Sequence, residues 1–160
     1  MSSIYANVLS EEDIQYLKNL PQVIFAKNFV DIRSSGMACV PVVVTDSIRA
    51  SLQSRLGLDL SVGSSFPMSW IKGDTAPHID TGESPFQHTY LIYLNDSPGQ
   101  FSVDSQSYPI QENTGFKFNE GLSHQTQGTN SIPRLLVGPM NELGEPVGFL
   151  SLGYYPTLAL

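Results

Sequence analysis

The chain is punctuated too often for long helices. Segments rich in β-branched and aromatic residues run from Val23 to Val30, Met37 to Val44, Phe66 to Lys72, His88 to Leu94, Gln100 to Asp104, Gly115 to Asn119, Ile132 to Gly138 and Val147 to Tyr154. Each is bounded by Gly, Pro, Asn, Asp or Ser. Such side chains fit a pleated, half-buried surface, while the bounding residues favour turns. Many short strands at this spacing predict a mainly β architecture, a sandwich or jelly roll.

Two stretches follow a helical period instead. Ser10 precedes Glu11, Glu12 and Asp13, an N-cap followed by an acidic first turn, and Ile14, Leu17 and Leu20 then recur at helical spacing until Pro21. Thr45-Asp46-Ser47 opens the second, with Ile48, Leu52 and Leu56 spaced by four and Gly57 as its stop. Both are expected to support the sheets. A length of 160 residues with no repeat, low-complexity tract or long linker predicts one domain over 1–160.

Composition removes several function classes. A hydrophobic content of 41% with 14% charged residues is globular, and no apolar stretch reaches the length of a membrane span. The start, Met1 to Tyr5, shows neither a basic leader nor an apolar run, and the single Cys39 cannot form an internal disulfide, so an intracellular, cytoplasmic location is expected. Cys39 follows an apolar stretch and reads as a buried, inert thiol. A net charge of −7 with eight scattered basic residues offers no stripe to track a phosphate backbone, which argues against nucleic acid as a partner.

The chemistry concentrates in few residues. His78-Ile79-Asp80 lies on what reads as a strand, where alternation points His78 and Asp80 to one face. With His124 they form a two-histidine, one-carboxylate set that leaves part of a ferrous ion's coordination sphere open. Arg134 follows ten residues after His124, and Gly128-Thr129-Asn130-Ser131 between them predicts a reversal, whether the two strands pair or face one another across a sandwich. Arginine cannot coordinate the metal but can hold a carboxylate bidentately. A three-ligand metal with a cation nearby predicts a co-substrate that chelates at one end and carries a carboxylate at the other.

Trp70-x-x-Gly73 leading to His78-x-Asp80, then Thr89 to Asn95, Gly115 to Phe118, and His124 followed by Arg134, resembles the iron(II)- and 2-oxoglutarate-dependent dioxygenases, most closely their prolyl hydroxylase-like branch. The likeness covers roughly residues 66 to 138. It implies a double-stranded β-helix (jelly roll): 1–65 would supply supporting helices and strands, 66–138 the metal- and co-substrate-binding core, and 139–160 a C-terminal strand. It further implies His78, Asp80 and His124 as Fe(II) ligands, Arg134 and Tyr93 as contacts to the distal carboxylate of 2-oxoglutarate, and ascorbate as a candidate reductant. Trp70 stands where a tyrosine is common; it reads first as core packing and second as the candidate substrate contact. The family's glycine-rich strand entry appears only as Ser97-Pro98-Gly99-Gln100-Phe101, and Leu136 replaces a serine of another branch, which favours the tyrosine-assisted arrangement.

The implied reaction consumes molecular oxygen and 2-oxoglutarate and hydroxylates a C–H bond of an acceptor. The expected acceptor is a protein side chain such as proline, with a free amino acid or other small molecule second. Nucleic-acid demethylation ranks third, because no second arginine follows Arg134. The rival from another class is a non-catalytic jelly-roll binding module with a vestigial or structural metal site. His88 reads as a partly buried strand residue, and Asp74, Asp96 and Asp104 as turn residues without chemistry.

Overall fold

The computed structural model describes residues 2–148. The strand expected over Val147 to Tyr154 lies almost wholly outside them, as does the aromatic tail from Phe149. Described in chain order, the elements are β1 (Ser2–Ala6), α1 (Glu11–Lys18), α2 (Pro21–Asp31), β2 (Gly36–Val43), α3 (Asp46–Leu56), β3 (Ser65–Lys72), β4 (Thr75–His78), β5 (His88–Tyr93), β6 (Ser97–Val103), β7 (Gln106–Ile110), β8 (Thr114–Asn119), β9 (His124–Gln127) and β10 (Arg134–Met140).

Their pairing is antiparallel throughout, in two sheets: a larger one ordered β1-β8-β5-β10-β3-β2 and a smaller one ordered β4-β9-β6-β7. From β3 onward the chain passes back and forth between them, which is jelly-roll connectivity. β1 and β2 extend the large sheet at its two edges.

Strand alternation divides the apolar residues into two cores. Along β5 and just past its end, Tyr90, Ile92 and Leu94 join a cluster with α1, α2 and α3, while Leu91 and Tyr93 point between the sheets to Phe101, Phe116, Phe118 and Leu136. The helices therefore cover the outer face of the large sheet, and its inner face is free to shape a pocket with the small sheet.

Capping follows the sequence. The Ser10 hydroxyl accepts from Asp13 N at 3.1 Å, Thr45 Oγ1 accepts from Ile48 N at 3.2 Å, and Gly57 ends α3 with φ 77, the left-handed conformation glycine adopts without a Cβ penalty. One element differs from expectation: Val23 to Val30 is not a strand but most of α2. Its buried residues Val23, Ala26 and Val30 recur at intervals of three and four, Ile24 and Phe25 are about half exposed, and Pro21 starts the helix. Packing of that stripe on β2 and β3 overrides the β preference of individual valines and phenylalanines.

Four strands carry weaker signals. β1, β7 and β9 are short and polar, and β4 contains a proline. β6 begins earlier than its apolar run, at Ser97, because Gly99 (φ 95) lets the chain pass against the Gln127 carbonyl of β9, where a Cβ would collide.

Candidate functional site

β4 and β9 bring the two histidines together: His78 lies directly opposite His124 in register, with ring centroids 4.2 Å apart. β4 ends at His78, so Asp80 is not on the same strand. The chain leaves the sheet and is caught by Thr81, which bridges Gly148 through Thr81 N to Gly148 O (2.7 Å) and Gly148 N to Thr81 O (3.0 Å). Asp80 still reaches the histidines, but through this bridge rather than by strand alternation.

Asp80 Oδ1 lies 3.5 Å from His78 Nε2 and 3.2 Å from His124 Nε2, and all three residues are buried. His78 Nδ1 is 2.8 Å from the Ala76 carbonyl and His124 Nδ1 is 3.1 Å from the Leu122 carbonyl. A carbonyl only accepts, so each Nδ1 carries the hydrogen and a neutral ring presents its Nε2 lone pair inward. Both Asp80 oxygens are buried without a hydrogen bond. Inward lone pairs and an ionised carboxylate repel unless a cation sits among them, and the candidate ligand atoms lie within 4.8 Å of one another. The residues fit a metal ion.

A single pocket runs from this triad to Arg134, walled by Ile71, Leu91, Phe101 and Leu136. Arg134 is 0% exposed. Its Nη1 donates to Gly73 O at 2.8 Å, while its Nε is buried without a partner. Burial lowers the guanidinium's pKa, opposed by Tyr93 and Asp74. Tyr93, opposite Leu136 on β5, lies beside Arg134 and Thr126; burial raises its hydroxyl pKa, with Arg134 and Thr126 opposing. The reversal between β9 and β10 places those two strands in different sheets, so that His124 and Arg134 lie on opposite sheets, while Tyr93 and Arg134 share the large one. Asp74 fixes that reversal over a long sequence distance, accepting from Gly128 N (3.0 Å), Thr129 N (3.0 Å) and Thr129 Oγ1 (2.7 Å).

The structure does not bring Trp70 to this site. In β3 alternation places Ile71 on the pocket face and Trp70 on the helical face, where Nε1 donates to Val23 O at 3.0 Å and Lys27 lies over the ring. His88 is also elsewhere, at the start of β5 beside Glu142. Cys39 is buried, which raises its thiol pKa. Thr75 and Thr126 line the pocket and were not singled out from sequence, although Thr126 follows His124 by two on β9 and so shares its face.

No protein-family model matches the chain, and no curated protein matches it in sequence. Among solved structures it is similar to a prolyl-4-hydroxylase from Pseudomonas putida, with a TM-score of 0.53 and 13% identity over 85% of this chain and 89% of that chain. At that identity the likeness concerns the fold. The protein is a mostly β, antiparallel jelly roll with a prolyl hydroxylase-like neighbour, and a buried His-Asp-His cluster lies in its pocket.

Proposed function

We propose that this protein is an iron(II)- and 2-oxoglutarate-dependent oxygenase that hydroxylates a C–H bond. The observation that carries the reading is one pocket with unsatisfied buried groups at both ends: the Asp80 oxygens among two Nε2 atoms, and the Arg134 Nε beside Tyr93. His78, Asp80 and His124 would hold the ion, and a ferrous ion there would supply the redox chemistry that places one atom of oxygen in the acceptor and the other in succinate, with carbon dioxide leaving. The chain's own part is to bind, orient and keep dry. The Ala76 and Leu122 carbonyls fix both rings in the Nε2-presenting tautomer. Arg134 and Tyr93 receive the distal carboxylate of 2-oxoglutarate, a charge-assisted contact strengthened by burial. Leu91, Phe101 and Leu136 exclude water along its length.

A protein side chain such as proline is the first acceptor class, supported by the prolyl-4-hydroxylase named as the structural neighbour. A free amino acid or other small molecule is second, and ascorbate is the reductant to include. No helix among the described residues is long and apolar enough to cross a membrane. The test is anaerobic addition of ferrous iron and 2-oxoglutarate, which should give a weak visible charge-transfer band, followed by oxygen and detection of succinate. Absence of both, with a closed tetrahedral zinc site instead, would make the protein a binding module.

A further inference from the structure

We infer that Thr126 is a further co-substrate contact: its hydroxyl donates to the distal carboxylate of 2-oxoglutarate from the small sheet, while Arg134 and Tyr93 reach it from the large one. The inference rests on the oxygenase reading and names a residue of that site that sets its preference for a 2-oxo diacid. Apart from the triad, the polar side chains lining the pocket are Thr75, Tyr93, Thr126 and Arg134. Burial by itself does not mark Thr126. Thr89 is as deeply buried and its hydroxyl has no partner, yet it lines no part of this pocket.

What marks Thr126 is its place. It follows His124 by two on β9, so both side chains face the pocket and stand about 7 Å apart along the strand. That spacing suits a co-substrate anchored beside His124 at one end and presenting its second carboxylate at the other. Thr126 also lies in register with Thr75 of β4 on one side and Phe101 of β6 on the other, and its amide donates to Thr75 Oγ1 at 3.0 Å. The backbone that carries the hydroxyl is therefore held by both neighbouring strands. The Thr126 hydroxyl meets the Tyr93 hydroxyl across the pocket, and Tyr93 in turn lies beside Arg134.

A carboxylate has two oxygens with about four lone-pair sites, and those left unmet in a buried pocket cost free energy. Arg134 commits Nη1 to the Gly73 carbonyl, while its buried Nε has no partner. Two hydroxyls bonded to each other use one hydrogen between them, so the Tyr93 and Thr126 pair keeps one to donate, and has both when each turns to an anion. With Thr126 the carboxylate is met from both sheets rather than from one. A 2-oxo acid ending in a methyl group would leave Arg134, Tyr93 and Thr126 without an acceptor, which is how a site built of donors rejects an analogue lacking the group they bind.

The experiment measures anaerobic binding of 2-oxoglutarate and of 2-oxopentanoate to the iron-loaded protein by calorimetry. 2-Oxopentanoate has the same carbon chain with a methyl group in place of the distal carboxylate. Thr126→Val, shown folded by its melting temperature, keeps the shape of the side chain and removes the hydroxyl. It should weaken 2-oxoglutarate about tenfold, in the range of a hydrogen bond to a charged group, and leave iron and 2-oxopentanoate affinity unchanged. Thr126→Ser should restore 2-oxoglutarate binding to near the native value. The loss in Thr126→Val should persist in a Tyr93→Phe background, because Thr126 touches the carboxylate itself rather than acting through Tyr93. Native 2-oxoglutarate affinity in Thr126→Val, equal weakening of both acids, failure of serine to restore binding, or no further loss in the Tyr93→Phe background overturns the inference while the oxygenase reading stands. No binding of 2-oxoglutarate by the native iron-loaded protein overturns both.

Discussion

Two inward imidazole lone pairs and one carboxylate form a stable arrangement only around a cation, so Asp80 has the largest predicted effect on metal. Asp80→Ala should reduce ferrous affinity by more than about 100-fold, beyond the range seen when only outer partners are lost, as read by competition with a coloured chelator. Unchanged affinity would remove the triad assignment. Arg134 is proposed to have a different task. Arg134→Met keeps much of the buried volume but removes the charge, so 2-oxoglutarate affinity should fall by about 10- to 100-fold, the worth of a charged hydrogen bond, with a much smaller change for iron. Equal losses for both ligands would mean that the residue merely holds the fold. Tyr93→Phe should cost about fivefold in 2-oxoglutarate affinity, in keeping with one neutral hydrogen bond of about 1 kcal/mol.

Elements explain where sequence reading succeeds and where it stops. α1 and α3 were legible because Ser10 and Thr45 cap them and their apolar residues keep one period. α2 was not, because Val23, Ile24, Phe25, Phe29 and Val30 favour strands individually, and only burial of Val23, Ala26 and Val30 against the sheet decides the matter. Thr45→Ala should destabilise the protein by about 1 kcal/mol in urea unfolding, the usual worth of a cap. The β9–β10 reversal gives a pH-dependent expectation. The Thr129 hydroxyl, then the Thr129 and Gly128 amides, hold the Asp74 carboxyl below its ordinary range. A depressed folded-state pKa gives stability that is present above the ordinary carboxylate pKa and lost as pH falls through the folded value. The stability gap between the native protein and Asp74→Ala should therefore narrow on acidification; a gap constant from pH 7 to pH 3 would show that Asp74 acts without its charge.

At the scale of the whole molecule, the proposed metal site would join two strands and a bridged loop and so couple binding to folding. Iron added at about 100 times its dissociation constant should stabilise the native state by about 2.7 kcal/mol and raise the melting temperature by about 5–10 °C, and a chelator should reverse the shift. No shift would mean that the ion is not bound by the folded chain. The β-rich class, the two capped helices and the residue types His78, Asp80, His124 and Arg134 were already determined by the sequence, because they depend on side-chain chemistry and short-range periodicity. Tertiary structure alone decided that β4 stops at His78 and that the Thr81–Gly148 bridge delivers Asp80. It also decided that Trp70 faces α2, and that Arg134 lies beside Tyr93 on the neighbouring strand of the large sheet. Each of these depends on which distant segments pair, and pairing is set by packing two sheets and three helices at once, which no local pattern encodes.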